Sequence, residues 1–115
     1  MKRHGPAWYA HQLLSQTVDS LAVGPGDVRS RLLNAYQIFH PLTPEHLPEH
    51  LRDDFKWVMN QLTSRDPRTN SVGDVFKSNV QVSLEHMKNS TGAKIAERLL
   101  RLHYAIESYV KSDDL

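Results

Sequence analysis

The sequence predicts an all-α fold, a single bundle of about five helices joined by short connections. Two observations carry that expectation. Leu51, Phe55, Val58 and Leu62 recur at i, i+4, i+7 and i+11, which places all four on one helical face. Ile95, Leu99, Leu102, Ile106 and Tyr109 form a second such stripe inside a stretch, residues 91–111, with no proline to interrupt it. A third observation is the punctuation between such stretches, which is made of short Gly, Pro and Asn clusters rather than long linkers.

Each element follows from local chemistry. A first helix over about residues 7–22 puts Ala10, Leu14, Val18 and Leu21 on its core side, after an N-terminal segment 1–6 expected to be flexible. Gly24-Pro25-Gly26 ends it, and Asp27 stands where an N-cap carboxylate accepts the free N–H groups of the next helix. That helix, over about 28–40, buries Val28, Leu32, Ala35 and Phe39. Pro41, Pro44 and Pro48 stiffen residues 41–48 into a connector with at most one helical turn, where Thr43-Pro44 suits an N-cap and first position. The third helix runs over about 48–63. Ser64 to Asn70 is the most loop-like segment. Residues 74–88 fit a helix through Phe76, Val80, Leu84 and Met87, although Val80, Val82 and Leu84 alternate like a strand. Helix is preferred because a lone strand would lack a partner. Asn89 to Gly92 then caps the last helix.

Composition narrows the function classes. The 115 residues suit one domain, 39% of them apolar and 23% charged, which argues against global disorder. A formal charge of +1 excludes polyanion binding by bulk charge and leaves only a local patch. The absence of cysteine removes disulfides, thiolate metal sites and cysteine nucleophiles. Met1-Lys2-Arg3 begins basic, but Trp8-Tyr9-Ala10 gives way at once to His11 and Gln12, so no signal sequence is expected. No run of ~18 apolar residues is present, so no membrane span is expected and the cytoplasm is the default location.

Two short motifs bear on catalysis. His46-Leu47-Pro48-Glu49-His50 spells H-x-x-E-H, the inverted zinc-peptidase pattern. Pro48 interrupts the helical turn that would aim both imidazoles at one metal, so no metal site and no cofactor are expected. Arg98-Leu99-Leu100-Arg101-Leu102-His103 matches R-x4-H. This pattern resembles the motif of HEPN-type ribonucleases, and covers six residues. The resemblance implies a dimer in which Arg98 holds a scissile phosphate while His103 moves a proton. Leu99 departs from that family, which usually has a polar residue after the arginine. On a regular helix positions five apart diverge by about 140°, so one site would need a distortion or a second chain.

The remaining candidates are surfaces. Thr91, Lys94, Arg98 and Arg101 line the start and one flank of the last helix, where free N–H groups and cations would favour phosphate, nucleic acid or an acidic partner; Gly92 would allow close approach. Leu100 and Tyr104 lie opposite the buried stripe, so the last helix is either central or pairs with another chain. Trp57 sits off the apolar face of its own helix and either seals a groove or anchors a partner. The expectation is therefore a helical protein–protein interaction module using Trp57, Leu100 and Tyr104, a homodimer or an accessory subunit. Nucleic-acid binding and the ribonuclease are the alternatives, and no catalytic residue is assigned outside the ribonuclease reading.

Overall fold

The computed structural model describes residues 5–112. Its five α-helices are α1 (Gly5–Val23), α2 (Val28–Phe39), α3 (Glu49–Leu62), α4 (Asn79–Glu85) and α5 (Asn89–Ser112). A 3-10 turn, Pro44–His46, lies between α2 and α3, and a small hairpin between α3 and α4 pairs β1 (Arg68–Thr69) with β2 (Val75–Lys77).

The all-α expectation holds because the apolar stripes meet. Leu51, Phe55, Val58 and Leu62 of α3 face Ile95, Leu99, Leu102, Ile106 and Val110 of α5, and Leu14, Leu32, Ala35 and Phe39 complete one continuous core. α5 touches α1, α2 and α3, which makes it the central element. Its 24 residues span about 36 Å. The body around it is elongated, 56 × 27 × 20 Å.

Several local expectations are met by visible chemistry. The Asp27 carboxylate accepts from the Ser30 backbone N–H at 3.1 Å, capping α2. Thr43 precedes the 3-10 turn in extended conformation, and its N–H donates to His46 Nδ1 at 3.0 Å. Other details shift. Gly5 and Pro6 already belong to α1, while the rest of the N-terminal segment lies outside the described residues. On α1 the buried face is Ala7, Ala10, Leu14 and Thr17, with Val18 and Leu21 only half-buried. Thr17 tolerates burial because its hydroxyl donates to the Leu13 carbonyl at 2.8 Å. Val28 is half-buried, and Val110 rather than Tyr109 ends the α5 core stripe.

Residues 89–92 form the first turn of α5 instead of capping it from outside. Gly92 serves packing: a Cβ there would lie 2.9 Å from Val28 Cγ1 and 3.6 Å from Leu32 Cδ1. The glycine lets α5 approach α2 closely.

The main correction concerns residues 74–88. Val75–Lys77 is a strand, and helix begins only at Asn79. The partner that a lone strand would lack exists: it is Arg68–Thr69, inside the segment read as loop. Asn70 closes the turn, its Oδ1 accepting from the N–H groups of Val72 (3.0 Å) and Asp74 (2.9 Å). Gly73 supplies the positive φ of 90° that this turn requires. Ser78 then caps α4, accepting from the Gln81 N–H while the Gln81 side chain accepts from the Ser78 N–H. From residue 63 to residue 79 no side chain is buried.

Candidate interaction surface

Among the described residues the hairpin carries three of the exposed large apolar side chains. Val72 is 78% exposed, Val75 60% and Phe76 59%. Its ladder pairs Arg68 with Lys77 and Thr69 with Val75, with an irregularity between the two pairs. Among the described residues no third strand joins it, so the outer edges of both strands keep unpaired backbone groups. Two attachments hold it to the body. Lys77 Nζ donates to Glu85 of α4, and the Arg65 N–H donates to the buried Ser83 Oγ at 2.9 Å. The Lys77 ammonium beside Glu85 holds that carboxyl below its usual range. Between α2 and α4 lies an open cleft of about 330 Å3, lined by Asp27, Arg29, Leu33 and Glu85 among others. Its charges are already paired, Asp27 with Arg29 at 3.1 Å and Glu85 with Lys77.

In the sequence no hairpin residue stands out as a contact residue, and Phe76 reads as part of a helical face. The signals were present in Asn70 and Gly73, a turn pair, and in Ser78-x-x-Gln81, a capping box that starts a helix after Phe76 rather than before it.

The basic flank of α5 is largely neutralised. Arg98 Nη1 meets Asp54 Oδ1 at 2.9 Å, and its guanidinium stacks on the Trp57 ring at 4.5 Å from the centroid. Asp54 and Trp57 stand one turn apart on α3, so the three side chains close the α3–α5 seam. Arg101 pairs with Glu97 at 2.9 Å. Lys94 is exposed without an ion-pair partner among the described residues, and Thr91 is half-buried.

Trp57 is thus half-buried beneath Arg98. Leu100 points about 160° away from Arg98 around α5, and its side chain is also half-buried. Tyr104 is 58% exposed and rests against His103. Leu100 and Tyr104 share one flank; Trp57 lies on the other. The three do not form one patch.

The same geometry separates Arg98 from His103. Arg98 faces α3, whereas His103 faces α1, where its Nδ1 lies 3.5 Å from Ser15 Oγ and its ring stacks on His11 at 5.9 Å. His11 Nε2 lies 3.6 Å from Glu107 Oε2. Lys111, followed by weaker contributions that include His11, holds the Glu107 carboxyl below its usual range. Glu107 lies beside His11, whose buried Nε2 makes no hydrogen bond, so among the described residues the acid–base–nucleophile order of a hydrolase triad is not assembled.

The H-x-x-E-H residues diverge too. His46 packs on Tyr9 at 5.2 Å from the 3-10 turn, and His50 packs near Tyr109 at 6.2 Å from the first turn of α3. Among the described residues no three His, Asp or Glu side chains are grouped to hold a metal, and no helix is long and apolar enough to cross a membrane.

No protein-family model, curated protein or solved structure matches this chain.

Proposed function

We propose that this chain is a protein–protein interaction module whose docking element is the hairpin 68–77. The observation that supports it is the exposure of Val72 in the turn and of Val75 and Phe76 on β2 of a two-stranded ladder with open edges. Large apolar groups clustered on a water-facing element favour a partner that covers them. An isolated two-stranded hairpin is also marginal in water, so a partner that adds contacts to it stabilises both. Tyr104, with Leu100 beneath it, is a smaller second contact on a different flank. On this reading the protein is an accessory subunit working in the cytoplasm, and its helical body is the scaffold that presents the hairpin. Nucleic-acid binding along α5 draws less support, because Arg98 and Arg101 are committed to Asp54 and Glu97.

The test is a photo-crosslinking amino acid placed at Phe76, at Val75 and, as a polar control, at the exposed Gln37 on α2, in the cell that makes the protein. Defined adducts at Phe76 and Val75 but not at Gln37 are the expected result. Equal labelling at all three positions refutes the assignment.

A further inference from the structure

α5 is the central helix, yet one of its faces is open to water. Ala93, Glu97, Arg101, Tyr104, Ser108 and Lys111 are all exposed, and Leu100 at the border is half-buried. Around the helix Glu97, Tyr104, Ser108 and Lys111 fall within about 60° of one another, roughly opposite the buried stripe.

The charges along this face are ordered. Glu97 pairs with Arg101 at 2.9 Å, and Glu107, at the half-buried border, pairs with Lys111 at 3.5 Å, each pair one turn apart. The four side chains therefore sum to no net charge and do not repel a like surface. Glu97 and Lys111 each stand seven residues from Tyr104, and Arg101 and Glu107 each stand three. Each of the four is thus answered, at equal distance on the other side of Tyr104, by its opposite. A row with that symmetry is complementary to its own reverse.

From this ordering we propose that α5 pairs with α5 of a second copy of the chain, antiparallel, across a twofold axis at Tyr104. A twofold axis brings the same patch of each chain together. Tyr104 then packs on Tyr104 of the other copy. Leu100 comes level with the small Ser108, and Glu97 faces Lys111 on both sides of the axis.

The same charges disfavour other arrangements. Parallel pairing sets Glu97 on Glu97, Arg101 on Arg101 and Lys111 on Lys111. An antiparallel pair centred on Leu102 brings Leu100 onto Tyr104 but also Glu97 onto Glu107. Like charges so placed oppose association and leave the register at Tyr104. The seam from Glu97 to Lys111 is about 21 Å long. A contact of that length suits a reversible, concentration-dependent dimer rather than a permanent one. It shares no residue with the hairpin, so each surface can be tested without the other.

The test is sedimentation equilibrium of the full chain over a wide concentration range, with far-UV circular dichroism to check that each variant folds. The native chain should dimerise as concentration rises, and Tyr104→Ser should shift it toward monomer. Glu97→Lys and Lys111→Glu, each alone, set like charges across the axis and should each weaken the dimer about fivefold. Made together, they restore opposite charges between the copies but place like charges one turn apart within each helix. Recovery of the dimer in the double variant therefore reports contact between chains, not a better helix. Weakening in both single variants with recovery in the double is the expected result. A chain that stays monomeric at every concentration overturns the proposal. So does a dimer that the single variants leave unchanged, or one that the double variant fails to restore.

Discussion

Gly92→Ala separates two opposing effects whose balance the structure predicts. Alanine is the better helix former, by about 0.8–1.0 kcal/mol in a helix interior and somewhat less in a first turn. Propensity alone therefore predicts stabilisation. The added Cβ would stand 2.9 Å from Val28 Cγ1, whereas apolar carbons sit comfortably at about 3.5–4.0 Å. At least about 0.6 Å must be found. Val28 is β-branched and held in α2, so rotating it away is unfavourable and the helices must part instead. Overpacking of this kind costs about 1–3 kcal/mol.

The expected net change is a loss of about 1 kcal/mol, or roughly 4 °C in Tm for a domain of this size. Urea unfolding followed by far-UV circular dichroism measures it. Val28→Ala provides the internal control: with that methyl gone, Gly92→Ala should become stabilising by about 0.5 kcal/mol or more. If Gly92→Ala raises stability in the native background, the close α2–α5 approach is not what holds glycine at this position.

Ser83→Ala leaves the Arg65 N–H without its acceptor and should lower stability by about 1–3 kcal/mol, with faster amide exchange across 65–77; unchanged exchange would show that the hairpin is anchored elsewhere. Arg98→Ala removes the Asp54 pair and the stacking on Trp57, a partly exposed arrangement worth about 1 kcal/mol. A double-mutant cycle with Asp54→Ala that shows no coupling would refute the pair. Acidification has a defined sign. Asp27, held by the Ser30 N–H and by Arg29, Glu85, held by Lys77, and Glu107, held by Lys111, all have carboxyls below their ordinary range. Their contributions are therefore complete above the ordinary carboxylate values and are lost as pH falls through the lowered ones. The urea midpoint should drop between about pH 5 and pH 3, and Glu107→Gln should shallow that drop; identical profiles for the two proteins would exclude a role for Glu107.

Much of the fold was legible because helix periodicity is local. Leu51, Phe55, Val58 and Leu62 announce α3 without reference to anything else, and Asp27 announces the start of α2. The hairpin was hidden for the opposite reason. Phe76 falls by chance at the spacing that would extend the Val80–Leu84 face, and strand pairing depends on a partner several residues away. A period of four admits Phe76 to the helix; the Ser78–Gln81 capping box excludes it, and that box is the more specific signal. At the surface, Trp57 and Arg98 could each be singled out, but their meeting depends on how α3 and α5 align. Helical angles alone already separate Arg98 from His103 and Leu100 from Arg98; what each of them faces is a tertiary fact.

Because no side chain between residues 63 and 79 is buried, the hairpin can be rewritten without disturbing the core. About ten residues there can be exchanged, provided Ser83 and Glu85 remain to moor whatever replaces them. The same independence makes the site a natural graft point. A loop of chosen sequence inserted between Arg65 and Ser78 would inherit a finished scaffold, and the helical body would register the exchange only through those two moorings.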